Sequence, residues 1–394
     1  MNKLLLCLIL MMVIIIPLAC GNQNNTPSTP ISGEANTRTP TPTSTSAVFS
    51  PTPTFTPGGP TSTFTSTFTS TPTFAIATPV FDGNNGISSS ANGTFYSGNG
   101  ASGTLYIAAN DGINPEVEEF TNTNGVLSYS TNSNFVVVTV NGSASTVLLV
   151  GPQGFAATTI TVGIPTPTYF WAILDENTSG GATLYSGLSP FNAPSTCAAW
   201  GNNLFKSPKC LTADSIGNFY IADTGNGYVE QWYMNCYPSQ LGYHRWNNYY
   251  DYQTGNSVTF VNPYAVACDP TAAANVFVGD AGVPNSRIIE FTSGGTSVVS
   301  NGIFSGVKNC IVQGLAVDAS DNVYVSDSFN HQVEEYGLVG GVWSLLRTWS
   351  IPVGTSVGTG YIEYYPFNPS SICLTGSNIF VGDYTNQLVD VFGP

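Results

Sequence analysis

The stretch "NFYIADTGN", residues 218–226, reads as a short apolar run that ends on an aspartate and a turn. The chain repeats it. "NVFVGDAGV" begins at Asn275, "NVYVSDSFN" at Asn322 and "NIFVGDYTN" at Asn378, and "TLYIAANDG" at Thr104 is a looser copy with Asn110 near the aspartate's place. From Asn218 onward the copies start 57, 47 and 56 residues apart, while 114 residues separate Thr104 from Asn218, so one further unit is hidden between them.

Each strong unit has more than this one strand. A strand precedes it, in three cases after a proline: "SPKCLTAD", "NPYAVACD", "QGLAVD" and "NPSSICL". A third follows the turn: "YVEQW", "RIIEF", "QVEEY" and "LVDVF". A variable fourth is read in "SVTFV", "VVSNGIF" and "LLRTWSI". A period near fifty residues with several short strands per unit is the signature of a β-propeller, in which four-stranded sheets repeat around an axis. The fold class is therefore all-β, with a count of six blades and five or seven as the alternatives. In the hidden unit, "GPQGFAATTITV" gives the inner strand and "YFWAILDENTSGGATLYSG" the next two. "FVVVTVNGSASTVLLV" becomes an extra hairpin turning at Asn141-Gly142. The chain stops on a third strand, so "FAIATPVF" (74–81) is the natural donor of the fourth.

The start of the chain is different material. Lys3 precedes sixteen apolar residues, "LLLCLILMMVIIIPLA", ending before Cys20. That is short for a membrane span, which needs about 20 residues, and fits an export signal over 1–19. "PLAC" resembles a bacterial lipobox with Cys20 as the lipidated residue, although Pro17 departs from the usual aliphatic residue; the alternative is secretion with cleavage nearby. Residues 20–73 are rich in Thr, Ser and Pro and carry almost no charge. Such a segment cannot bury enough apolar surface to offset its ordering entropy, and reads as an extended spacer. The folded part is 74–394. The resemblance places the protein on a bacterial envelope, and Gly21, in place of Asp after Cys20, favours the outer membrane or cell surface.

The folded part carries 22 of the 23 acidic residues and only six basic ones: Lys206, Lys209, Arg245, Arg287, Lys308 and Arg347. That balance disfavours nucleic acid and anionic lipid surfaces as partners.

"GLAVDASDNVYVSDSFNHQVEEY" (314–336) and "CLTADSIGNFYIADTGNGYVEQW" (210–232) resemble the NHL repeat. The resemblance covers about 92–394 and implies an NHL-type propeller displayed by a bacterial lipoprotein. Asp223, Asp280, Asp327 and Asp383 close the second strand of successive units; an aspartate there accepts hydrogen bonds from turn N–H groups. The alternative is a ring of carboxylates holding a cation. Related propellers that hold zinc use several histidines, which His244 and His331 alone cannot supply. Calcium-dependent propeller lactonases use channel acids, for which Asp214, Asp269 and Asp318 are the candidates, with strand-end capping as the plainer role.

Six cysteines follow Cys20, and an exported chain can keep disulfides. Cys197–Cys210 is the pairing to test, while Cys210, Cys268 and Cys373 fall on inner strands where thiols pack as small hydrophobes. No metal site is expected from them, and no catalytic triad or phosphate loop is present. The aromatic stretch 232–255 offers Trp232, Tyr243, Trp246, Tyr249, Tyr250 and Tyr252 as a binding surface, or as a loop packed on itself. The sequence thus points to a non-enzymatic propeller binding a protein or glycan. The alternatives are a divalent-metal-dependent hydrolase or lyase, with calcium as its cation, and a structural envelope protein.

Overall fold

The computed structural model describes residues 91–393 apart from short stretches between strands. The expected signal, Cys20, the spacer and the donor strand at 74–81 lie outside the described residues. Six antiparallel meander sheets follow one another along the chain.

The first sheet comprises Ala91–Gly98, Ser102–Ala109, Glu116–Thr123 and Val126–Ser133. The second, the unit hidden from the motif, comprises Pro152–Ile160, Thr168–Glu176, Gly181–Leu188 and Ala199–Lys206. Cys210–Ala213, Asn218–Asp223, Tyr228–Tyr233 and Tyr243–Trp246 form the third. The fourth holds Pro263–Cys268, Val276–Asp280, Arg287–Phe291 and Val298–Phe304. The fifth holds Val312–Val317, Val323–Asp327, Gln332–Val339 and Val342–Trp349. The sixth has three described strands, Pro369–Leu374, Ile379–Asp383 and Leu388–Phe392.

The sheets are arranged radially. The first strand of each touches the first strand of the next, and that of the sixth touches that of the first. Six apolar clusters fill the spaces between consecutive sheets. Phe155 and Trp171 pack with Val117 between the first and second, and Leu105 and Phe120 with Phe380 and Val389 between the sixth and first. A second strand is therefore covered on both faces. This is why "NFYIAD" and "VFVGD" are buried throughout and read as continuous apolar runs instead of alternating ones. The architecture is a β-propeller built from a sequence repeat.

Of two further expectations, one holds and one changes. The hairpin Phe135–Val140 with Ser143–Leu148 forms where "FVVVTVNGSASTVLLV" places it. In the third sheet, however, the fourth strand is Tyr243–Trp246, drawn from the aromatic insertion, and not "SVTFV". Residues of "SVTFV" instead pair as Asn256–Thr259 with Asn248–Asp251 in a separate hairpin. Trp246 decides this. It is 7% exposed and packs against Tyr220 and Phe291, so taking that strand buries a second tryptophan beside the Trp232 of the same sheet.

Candidate functional site

The repeated aspartates are latches at the ends of the second strands. Asp280 Oδ1 accepts the backbone N–H groups of Val261 and Asn262 at 2.8 and 2.7 Å, and its other oxygen pairs with Arg287 at 2.8 Å. Asp223 accepts the Lys206 N–H at 2.7 Å and the Asn226 amide at 2.7 Å. Asp327 takes N–H groups from Ile311, Phe329 and Asn330, and Asp383 those of Asn368, Thr385 and Asn386. Each carboxylate is fully buried and ties the turn after the second strand to the segment that leads into the first. Asp175 does the same in the second sheet, accepting Val150 and Gly151 at 2.9 and 2.8 Å. Burial pushes Asp175, Asp223 and Asp383 above the usual carboxylate range, against the opposing pull of these hydrogen bonds.

Asp214, Asp269 and Asp318 serve the hairpins between first and second strands. Asp214 accepts Asn218 N–H and side-chain amide at 2.8 and 2.6 Å, and Asp318 accepts the same two groups of Asn322, each at 2.9 Å. Asp269 accepts both the N–H and the hydroxyl of Thr271 at 2.6 Å. Each is bonded inside its own hairpin.

A second series of acids escaped the motif. Glu118, Glu230, Glu334 and Asp390 sit at equivalent register positions of the third strand, all buried. The recurring Val-acid-x-aromatic pattern of "VEEF", "VEQW", "VEEY" and "VDVF" carries them. Arg245 forms an ion pair with Glu230, whose acid is nevertheless pushed up to about 7, chiefly by burial. In the fifth sheet Tyr336 and Gln332 donate to Glu334, each at 2.6 Å. Here Cys310, Asp327 and Glu334 bring potential metal-ligand atoms within 4.8 Å of one another. All three side chains are buried, both carboxylates already accept protein hydrogen bonds, and burial drives the thiol far above its ordinary range.

The aromatic set is divided. Trp232, Trp246 and Tyr249 are 3, 7 and 3% exposed and belong to the cores between sheets, while Tyr250 is half exposed. The side chain of Tyr243 and all of Tyr252 lie outside the described residues. Most of this set is thus packing, because the insertion contributes the outer strand of its sheet. Cys210 is a free thiol whose Sγ lies 3.4 Å from the Val266 carbonyl; Cys197, its expected partner, lies outside the described residues. Burial raises that thiol to about 11.

What the sequence did not disclose is the axial cavity. It is lined by first strands of five sheets, among them Phe155, Leu211, Val266, Leu315 and Ile372. At the end where those strands begin, it widens into a mouth of about 430 Å³ lined by Gln153, Lys209, Tyr264, Gln313, Ser328, Asn368, Pro369, Ser370 and Tyr384. The backbone explains the mouth. Pairing between first and second strands slips at one place in five sheets: at Ala91/Gly93, Pro152/Gly154, Pro263/Ala265, Val312/Gly314 and Pro369/Ile372. Each slip is a bulge, which leaves a residue unpaired and re-aims it. Four of these bulges deliver Gln153, Tyr264, Gln313 and Ser370 to the mouth, and Lys209 comes from the same place in the third sheet. Just inside lies a row of small residues: Gly154, Cys210, Ala265, Gly314 and Ser371. The close approach of neighbouring first strands requires them small. A Cβ on Gly314 would lie 2.5 Å from the Ser370 carbonyl oxygen, and one on Gly154 2.9 Å from Leu211 Cβ. In the mouth, Tyr264 is hydrogen-bonded to Gln313, and burial, then the nearby Tyr384, raises its phenol. Lys209 Nζ stands 3.6 Å from Glu176.

No protein-family model matches the sequence, and no curated protein matches it. Among solved structures, the chain is similar to virginiamycin B lyase from Staphylococcus aureus at 11% identity, covering 78% of this chain and 96% of that one with a TM-score of 0.43. A streptogramin B lyase structure is similar at 10% identity over 81% and 94% of the two chains, with a TM-score of 0.44. A nidogen/laminin complex is similar at 13% identity over 76% and 93%, with a TM-score of 0.39. The propeller assignment stands on the strand contacts and intersheet cores, independently of these likenesses.

Proposed function

We propose that the chain is an envelope-anchored, non-enzymatic propeller of six blades that binds a protein or glycan at the mouth of its axial cavity. The observation that carries this reading is the repeated bulge, which turns a polar side chain toward the same end of the axis in one sheet after another. A bulge costs ladder hydrogen bonds, and its recurrence at one register position is the mark of a designed surface. The reading of a metal-dependent hydrolase or lyase would need acids converging on that mouth. Asp214, Asp269 and Asp318 are instead bonded within their own hairpins, which supports a structural role for them.

NHL-type repetition supports the count of six, with the sixth blade completed by 74–81. The export signal and the "PLAC" sequence support lipidation at Cys20 and display on the outer membrane or cell surface at the end of the spacer. Two experiments test this. Cys20→Ser should release the full chain from the membrane fraction, and retention would remove the anchor. The thermal midpoint of the full chain should rise with isolated envelope glycan or protein fractions, since a ligand stabilises the state it binds. A rise with calcium alone, reversed by chelator, would move the reading to the metal-dependent enzyme.

A further inference from the structure

Resting on the reading of a binding propeller, we infer that the mouth takes a neutral, hydroxyl-rich ligand, a saccharide, between Tyr264, Tyr384, Gln153 and Gln313. Three properties of the lining select this class. The first is polarity. Of the described residues around the mouth only Pro369 lacks a polar side-chain group, and the aliphatic side chains of Leu211, Val266, Leu315 and Ile372 line the axial cavity beneath it, so a ligand held at the mouth meets polar groups. Amide and hydroxyl side chains both donate and accept, which is what a sugar hydroxyl requires of its partners.

The second is charge. Among the described residues that line the mouth Lys209 is the one cation, and Glu176 stands 3.6 Å from it, so the pair leaves the site close to neutral. A carboxylate or ammonium ligand would lose hydration there without a free counter-charge. The third is shape. Tyr264 is partly buried with its phenol held by Gln313, while Tyr384 is half exposed at the rim. Two flat faces at different depths suit the CH faces of successive sugar rings. The cavity of about 430 Å³ falls in the range of small-molecule sites.

The test uses the full chain on arrays of neutral oligosaccharides (chito-, cello- and malto-series), of uronate- and sialate-bearing glycans, and of peptides. Calorimetry with the best neutral oligosaccharide follows. Gln313→Ala and Tyr384→Ala are each expected to weaken binding about tenfold or more, a loss near 1.4 kcal/mol. Tyr250→Ala, outside the mouth, should leave it unchanged, and all variants should melt with the parent. Binding of neutral sugars that both mouth variants leave untouched overturns the site. Binding of peptides or acidic glycans alone, lost in both mouth variants, overturns the ligand class and leaves the binding propeller standing. No binding on any array overturns both.

Discussion

Asp280 accepts the backbone N–H of Asn262 at 2.7 Å, joining the end of the second strand of the fourth sheet to the residue that leads into its first. The same carboxylate holds Val261 N–H and the Arg287 guanidinium. Asp280→Ala leaves these donors without their acceptor in a buried place. Urea unfolding should show a loss of about 3 kcal/mol, since hydrogen bonds to a charged group are worth about 1.5–3 kcal/mol and orphaned donors cost more. An unchanged midpoint would mean that the latch is not structural.

Gly314→Ala tests the closure of the ring. The added Cβ meets the Ser370 backbone oxygen at 2.5 Å, so the fifth and sixth first strands must separate. Overpacking of this kind costs about 1–3 kcal/mol. Gly341→Ala is the comparison, because nothing lies within 4 Å of its Cβ but its φ is +83°, and it should lose about 1 kcal/mol through backbone strain alone. Equal losses in thermal unfolding would argue against close first-strand packing.

Trp246→Ala should damage stability and not recognition. Its ring packs on Tyr220 and Phe291 between the third and fourth sheets. Removing a buried aromatic side chain typically costs about 3–5 kcal/mol. A protein that melts normally but loses its ligand would return the aromatic insertion to the binding surface.

Glu230 gives the pH dependence a direction. Its folded acid titrates at about 7, above the ordinary glutamate value, mainly through burial. The folded state therefore holds a proton that the unfolded chain has released. The stabilising effect of that protonation is fully present below the unfolded value and is lost as pH rises toward and through about 7. Asp175, Asp223, Glu334 and Asp383 are raised too and act in the same direction. The domain should lose on the order of 1–3 kcal/mol between pH 5 and pH 8, and Glu230→Gln should flatten that slope. A slope of opposite sign would mean that Arg245 outweighs burial.

The sequence disclosed the parts of this fold that depend on local pattern. Second strands are covered on both faces, so "FYIA" and "VFVG" stand out as unbroken apolar runs, and the aspartate ending each run marks the turn. Asp175 escaped because "WAILDEN" lacks the opening asparagine and the turn chemistry of its counterparts. The acids of the third strand were visible as Val-acid-x-aromatic, but a buried glutamate looks like a surface residue until its neighbouring sheet is known. "YHRW" read as loop because its strand character comes from packing Trp246, not from alternation. The mouth was out of reach for a different reason. A bulge is a mismatch between two strands, and Gln153, Tyr264 and Gln313 become neighbours only when the ring closes.

The claim that the mouth is the working surface has one direct test: hydrogen exchange of the full chain with and without the envelope fraction that raises its thermal midpoint. The account predicts slowed exchange where the first strands begin, around residues 152–155, 209–211, 264–266, 312–315 and 370–372, with residues 243–251 unchanged. Protection confined to 243–251, or to any face away from the cavity, would contradict it.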